Sequence, residues 1–144
     1  MELIEDMKRT IYGKVFSGEG NGRKFVELPW VRRQIEEKLG FKPFPGTLNL
    51  RLDEADKNVS IFDKCRSILI RPEKGYFAGR AYKILITDKV PGAVIRPNIV
   101  GYPEDVLEIV SPISLRNRFN LEDGDLVEVT FDKWDKAPNV TNHS

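Results

Sequence analysis

Leu48, Leu50 and Leu52 alternate with Asn49 and Arg51, the period of a strand with one buried face. Short β-like runs of this kind recur at residues 10–16, 25–28, 67–70, 76–86, 92–96, 106–110 and 126–131. Pro72-Glu73-Lys74-Gly75 reads as the turn between the 67–70 and 76–86 strands, with Gly79 an expected bulge. One segment breaks the β rhythm. Trp30, Val31, Ile35 and Leu39 fall at near-helical spacing, with Pro29 suited to a first turn and Gly40 to a C-terminal stop. A second short helix is expected from a Ser111 cap and Pro112 through Phe119, and residues 53–63 read as a polar loop. Many strands at short spacing with two or so short helices predict a mainly β fold closed into a compact barrel. No internal repeat is visible.

The polar side of the Leu48 strand carries the first candidate chemistry. Thr47 and Asn49 lie two positions apart, about 6.6 Å along a strand, on the face opposite the leucines. Two neutral oxygens so placed suit one hard cation such as Mg²⁺, with water or phosphate completing its shell. The competing reading is that both side chains face water after the Pro45-Gly46 turn. Upstream, Gly18, Gly20 and Gly22 stand at spacing two after a β-like run, where backbone N–H groups can approach an anion. Arg23 and Lys24 add two cations, so the stretch Gly18, Glu19, Gly20, Asn21, Gly22, Arg23 and Lys24 suits a polyphosphate. It is neither a P-loop nor a dinucleotide fingerprint, and a flexible hairpin loop is the alternative. Glu108 sits inside an apolar run, a costly place for a carboxylate unless it points outward or meets a partner.

Several phrases in register resemble the archaeal CTP-dependent riboflavin kinases over about residues 10–131. They are Ser17-Gly18-x-Gly20-x-Gly22, Leu28-Pro29-Trp30 and Leu39-Gly40-Phe41-x-Pro43-x-x-Gly46-Thr47-Leu48-Asn49. Gly92-Ala93-Val94-Ile95-x-Pro97, Leu107-Glu108-Ile109-Val110-Ser111-Pro112, Leu115-Arg116 and Leu121-x-Asp123-Gly124-Asp125-x-Val127-x-Val129 follow in the same order. The resemblance implies a six-stranded cradle-loop β-barrel that transfers the γ-phosphoryl group of CTP to the 5′-hydroxyl of riboflavin, giving FMN and CDP. It implies that Thr47 and Asn49 hold the metal and that Ile113, Ser114, Leu115 and Arg116 line the cytidine nucleotide. It also implies that Glu108 contacts the flavin, where a carboxylate could orient the acceptor hydroxyl or take its proton. The companion flavin position is a threonine in the family and Val100 here, so contact at that point loses a hydroxyl.

Composition narrows the alternatives. At 144 residues the chain is one domain by length, with residues 1–9 an extension, 10–131 the barrel and 132–144 a loosely ordered tail. Lys plus Arg is 23 against 22 for Asp plus Glu, so no net field favours nucleic acid or an acidic membrane. That weighs against a swapped-hairpin DNA-binding regulator, which shares the Leu-Asp-Gly-Asp type of ending. A catalytically silent flavin or nucleotide sensor stays open. No apolar run reaches the roughly 18 residues of a membrane span, and the acidic start does not read as a signal peptide. The single cysteine, Cys65, suits a reducing, cytoplasmic setting. With one histidine, His143 in the tail, neither a zinc site nor a Cys/His nucleophile is available. The expected state is a monomer.

Overall fold

The computed structural model describes residues 9–18, 21–53 and 61–131. In chain order the strands are β1 (Arg9–Phe16), β2 (Leu48–Leu52), β3 (Ile68–Ile70), β4 (Gly79–Ile86), β5 (Val90–Pro97), β6 (Val106–Val110) and β7 (Leu126–Phe131). The helices are α1 (Asn21–Val26), α2 (Pro29–Leu39), α3 (Ile61–Lys64) and α4 (Leu115–Phe119). The strands hydrogen-bond in the order β3-β4-β5-β6-β2-β1-β7, all antiparallel, and β7 returns to β4. Six strands therefore close into a ring, as expected. Closure works because β4 divides one side between two partners. Its first residues pair with β3 (Ile70 opposite Gly79) and its last with β7 (Ile84 opposite Phe131).

The alternation in sequence explains the core. Ile11 and Val15, Leu50, Ile84, Val94, Leu107 and Val129 come from all six ring strands and form one buried cluster. A second cluster lies under α1 and α2, where Phe25, Trp30, Val31 and Ile35 pack on Ile70, Ala81 and Ile95. Pro29 opens α2 and Gly40 ends it at φ 85°, a left-handed conformation that glycine adopts without strain. Along α2, the Gln34 amide both donates to the Arg71 carbonyl (3.0 Å) and accepts from the Arg71 N–H (2.8 Å). Lys38 Nζ donates to the Leu69 carbonyl at 2.8 Å.

Several local expectations change. Residues 25–28 form no strand: Phe25 and Val26 finish α1, and both bury in the second cluster beneath it. The β4 strand begins at Gly79 rather than at residue 76, leaving Tyr76 and Phe77 half exposed outside it. Gly79 makes no bulge. It pairs regularly with Ile70 and Pro97, and a Cβ there would fall 2.7 Å from the Phe25 ring. The C-terminal part of the 53–63 loop opens α3, anchored by buried Ile61. The second helix starts later than expected, because the Ser114 side chain, not Ser111, accepts from the Asn117 N–H. Residues 1–8 and 132–144, with His143, lie outside the described residues.

Candidate active site

Glu108 lies opposite Asn49 in the β2–β6 ladder and is 1% exposed. Its carboxylate is held from two sides. The Thr47 hydroxyl stands 3.1 Å from Oε2, and the Tyr102 hydroxyl donates to Oε1 at 3.0 Å. These bonds meet the condition on which a carboxylate tolerates burial. Thr47 Oγ1 also lies 3.4 Å from Asn49 Oδ1, so the two oxygens predicted from spacing do converge. The reading that both face water fails for Asn49, which is 8% exposed. The cause is local: the polar side of β2 turns toward Glu108, and Gly18 comes close to the Asn49 amide.

On the Thr47 side, a depression of about 150 Å³ opens between Phe44–Leu48 and the start of α4. Ile113, Ser114, Leu115 and Arg116 all line it, and the bond from Phe44 N–H to the Ser111 carbonyl (2.8 Å) draws its two walls together. Arg116 is paired at 3.0 Å with Asp123, and Ser17 Oγ lies 2.9 Å from the same carboxylate. Asp123 thus ties the entry of the glycine segment to α4. The Arg116 and Ser17 hydrogen bonds hold its carboxyl below the usual range. In the sequence, the only local feature of Asp123 is that it precedes Gly124, which takes a left-handed φ of 97°. Glu19 and Gly20 lie outside the described residues. Asn21, Gly22 and Arg23 form the first turn of α1, and Lys24 is exposed.

On the Tyr102 side there is a larger cavity of about 430 Å³, within the range of small-molecule sites. Tyr82, Arg96, Asn98, Ile99 and Tyr102 contribute to its wall. The Arg96 guanidinium lies 4.3 Å from the centre of the Phe62 ring and 5.3 Å from that of Tyr102. Burial, and then the neighbouring Glu108 carboxylate, push the Tyr102 phenol well above its ordinary pKa. Burial likewise raises Tyr82. Val100 itself is fully exposed, while its neighbours Ile99 and Gly101 line the cavity. Neither Tyr102 nor Arg96 stands out in the sequence. A tyrosine six positions before a carboxylate in an apolar run was the only cue.

The model of the family CTP-dep_RFKase, described as "Domain of unknown function DUF120", matches residues 15–131. This chain belongs to the CTP-dependent riboflavin kinase family. It is 42% identical over 124 residues to a protein of Archaeoglobus fulgidus named riboflavin kinase, covering 83% of this chain and 53% of that protein. A riboflavin kinase of Pyrobaculum aerophilum is 43% identical, with 83% and 59% covered. One of Ignicoccus hospitalis is 39% identical over 138 residues, with 90% and 76% covered. The chain spans little more than half the length of the first two relatives.

The donor set near Thr47 suits the divalent cation that the family resemblance implies. Thr47 and Asn49 present neutral oxygens 3.4 Å apart beside a carboxylate, the hard-donor chemistry that Mg²⁺ prefers. Among the described residues no group of three or more His, Cys, Asp or Glu forms an all-protein cage. A cation here would therefore depend on substrate phosphates and water for most of its shell.

Proposed function

We propose that this chain transfers the γ-phosphoryl group of CTP to the 5′-hydroxyl of riboflavin, releasing FMN and CDP. One observation carries the reading: Glu108 is hydrogen-bonded to Thr47, which lines the smaller depression, and to Tyr102, which lines the larger cavity. Phosphoryl transfer requires donor and acceptor to meet in line, with polar groups gathered where charge develops. A carboxylate held by one lining residue of each hollow meets that need.

In this reading the nucleotide lies along Ser17, Gly18 and the α1 entry, with its base end toward Ile113, Ser114, Leu115 and Arg116. Backbone groups there would read the cytosine edge, and Leu115 packs beneath. The flavin occupies the larger cavity, its ribityl chain directed toward Glu108. The new bond joins the 5′-oxygen to the γ-phosphorus, the bond from that phosphorus to the bridging oxygen breaks, and CDP departs. Glu108 orients the 5′-hydroxyl and is placed to accept its proton. Thr47 and Asn49 hold Mg²⁺, which when bound neutralises phosphate charge. All these groups come from one chain, so a monomer suffices, and the lone cysteine fits a cytoplasmic enzyme.

The test is direct. Purified protein is incubated with riboflavin, Mg²⁺ and each nucleoside triphosphate in turn, and flavin products are separated. FMN with CTP alone supports the proposal. Tight flavin or nucleotide binding without FMN would instead identify a silent sensor.

A further inference from the structure

Tyr102 is built as a rigid arm. Its N–H donates to the Ile99 carbonyl at 3.1 Å, closing the turn that precedes β6. Its ring lies beside the Arg96 guanidinium, which is itself stacked on Phe62 and reaches the Val106 carbonyl at 3.4 Å. Its hydroxyl meets Glu108 Oε1 at 3.0 Å, while Thr47 takes Oε2. The end torsion of a glutamate is broad and nearly two-fold, so an unheld carboxylate samples many orientations. With a donor on each oxygen, that rotation is stopped.

We propose that Tyr102 is a positioning residue for the phosphoryl transfer: with Thr47 it fixes the plane in which the Glu108 carboxylate faces the acceptor alcohol. The inference rests on the functional reading above and adds a role that the family motif does not assign. Two features favour it over a purely structural role for Tyr102. The hydroxyl points at the carboxylate rather than at a backbone group, and the ring, not the hydroxyl, makes the contact with Arg96. The phenol also keeps its proton at neutral pH, because burial and the adjacent carboxylate both oppose its ionisation. It is therefore a constant donor.

Tyr102→Phe keeps the ring and removes only this bond. The loss of a hydrogen bond to a charged group predicts a fall in kcat of about 10-fold or more, with the riboflavin KM and the CTP dissociation constant little changed. A merely structural tyrosine would lower thermal stability and leave kcat alone. The decisive comparison is a double-mutant cycle with Glu108→Gln: Tyr102→Phe should cost far less turnover in that background, because the side chain it orients can no longer take the proton. Equal fractional losses in both backgrounds, or unchanged kcat in Tyr102→Phe, would overturn the role while leaving the kinase reading intact. Absence of FMN from the wild-type chain with CTP would overturn the kinase reading and this inference together.

Discussion

A Cβ added to Gly18 would stand 3.1 Å from the Asn49 amide nitrogen and 2.7 Å from the Phe16 ring. The glycine entry and the polar face of β2 are therefore in contact without room for a methyl group between them. Gly18→Ala should act on the nucleotide side first. Overpacking costs about 1–3 kcal/mol, and if carried into binding this weakens CTP roughly 5- to 150-fold. Calorimetric titrations should show riboflavin affinity moving much less. Equal weakening of both ligands would reduce Gly18 to a packing glycine.

Thr47→Val and Asn49→Leu are each expected to lower turnover by about 10²-fold, the usual loss when transition-state electrostatics are removed. The structure adds a distinction between them. Thr47→Val strips a donor from a carboxylate that is 1% exposed, so it should also cost about 1–3 kcal/mol of stability. Thr47→Ser should restore both properties. Melting temperatures and turnover at limiting Mg²⁺ check the pair; near-wild-type turnover in both variants removes them from the site.

Glu108→Gln preserves shape and leaves the Oε1 position able to accept from Tyr102. If the carboxylate takes the 5′-hydroxyl proton, turnover should fall by about 10²–10⁴-fold, while FMN binding changes only slightly. Single-turnover rates alongside FMN dissociation constants separate these effects. Unaltered values for both would take Glu108 out of the flavin site.

Asp123→Asn loosens the tie between Ser17 and Arg116. The Asp123 pKa is lowered in the folded chain, so ionised Asp123 stabilises the fold at pH values above its ordinary 3.8. That contribution disappears as the pH falls below 3.8 and through the folded value. The difference in melting temperature between wild type and Asp123→Asn should therefore be small but steady at neutral pH and vanish in stronger acid. The bridge is solvent-exposed, so high salt should shrink it as well. A difference that persists at the acid end would mean the carboxylate charge is not what joins the two segments.

The legible parts of the sequence were those where local pattern and burial agree. The Leu48–Leu52 strand with its buried leucines, the Pro29 start and Gly40 stop of α2, and β6 with its carboxylate all stand as read. The convergence of Thr47 and Asn49 followed from a period of two. What pattern could not supply was the third dimension across the barrel. Phe25 and Val26 look like strand residues until the cluster under α1 gives them a helical face to fill. Asn49 looks solvated until Glu108 is found across the ladder. Tyr102 is close to Glu108 in sequence, but that spacing matches no strand or helix period, and Asp123 meets Ser17 only because the pairing of β1 with β7 closes the ring. The contact of Arg96 with the Phe62 ring joins distant parts of the sequence, and its contact with Tyr102 depends on how the turn between β5 and β6 folds back.

Among the described strands, β3 alone has a single strand neighbour, and its free side is where another chain would add. Gln34 closes that opening by imitating a strand, giving Arg71 one donor and one acceptor from a single side-chain amide. Lys38 occupies the next carbonyl with a charge that an incoming strand would have to displace. The last turns of α2 thus serve as a seal against growth of the sheet beyond the barrel, so that a chain with an open-ended strand need not become a template for its own aggregation.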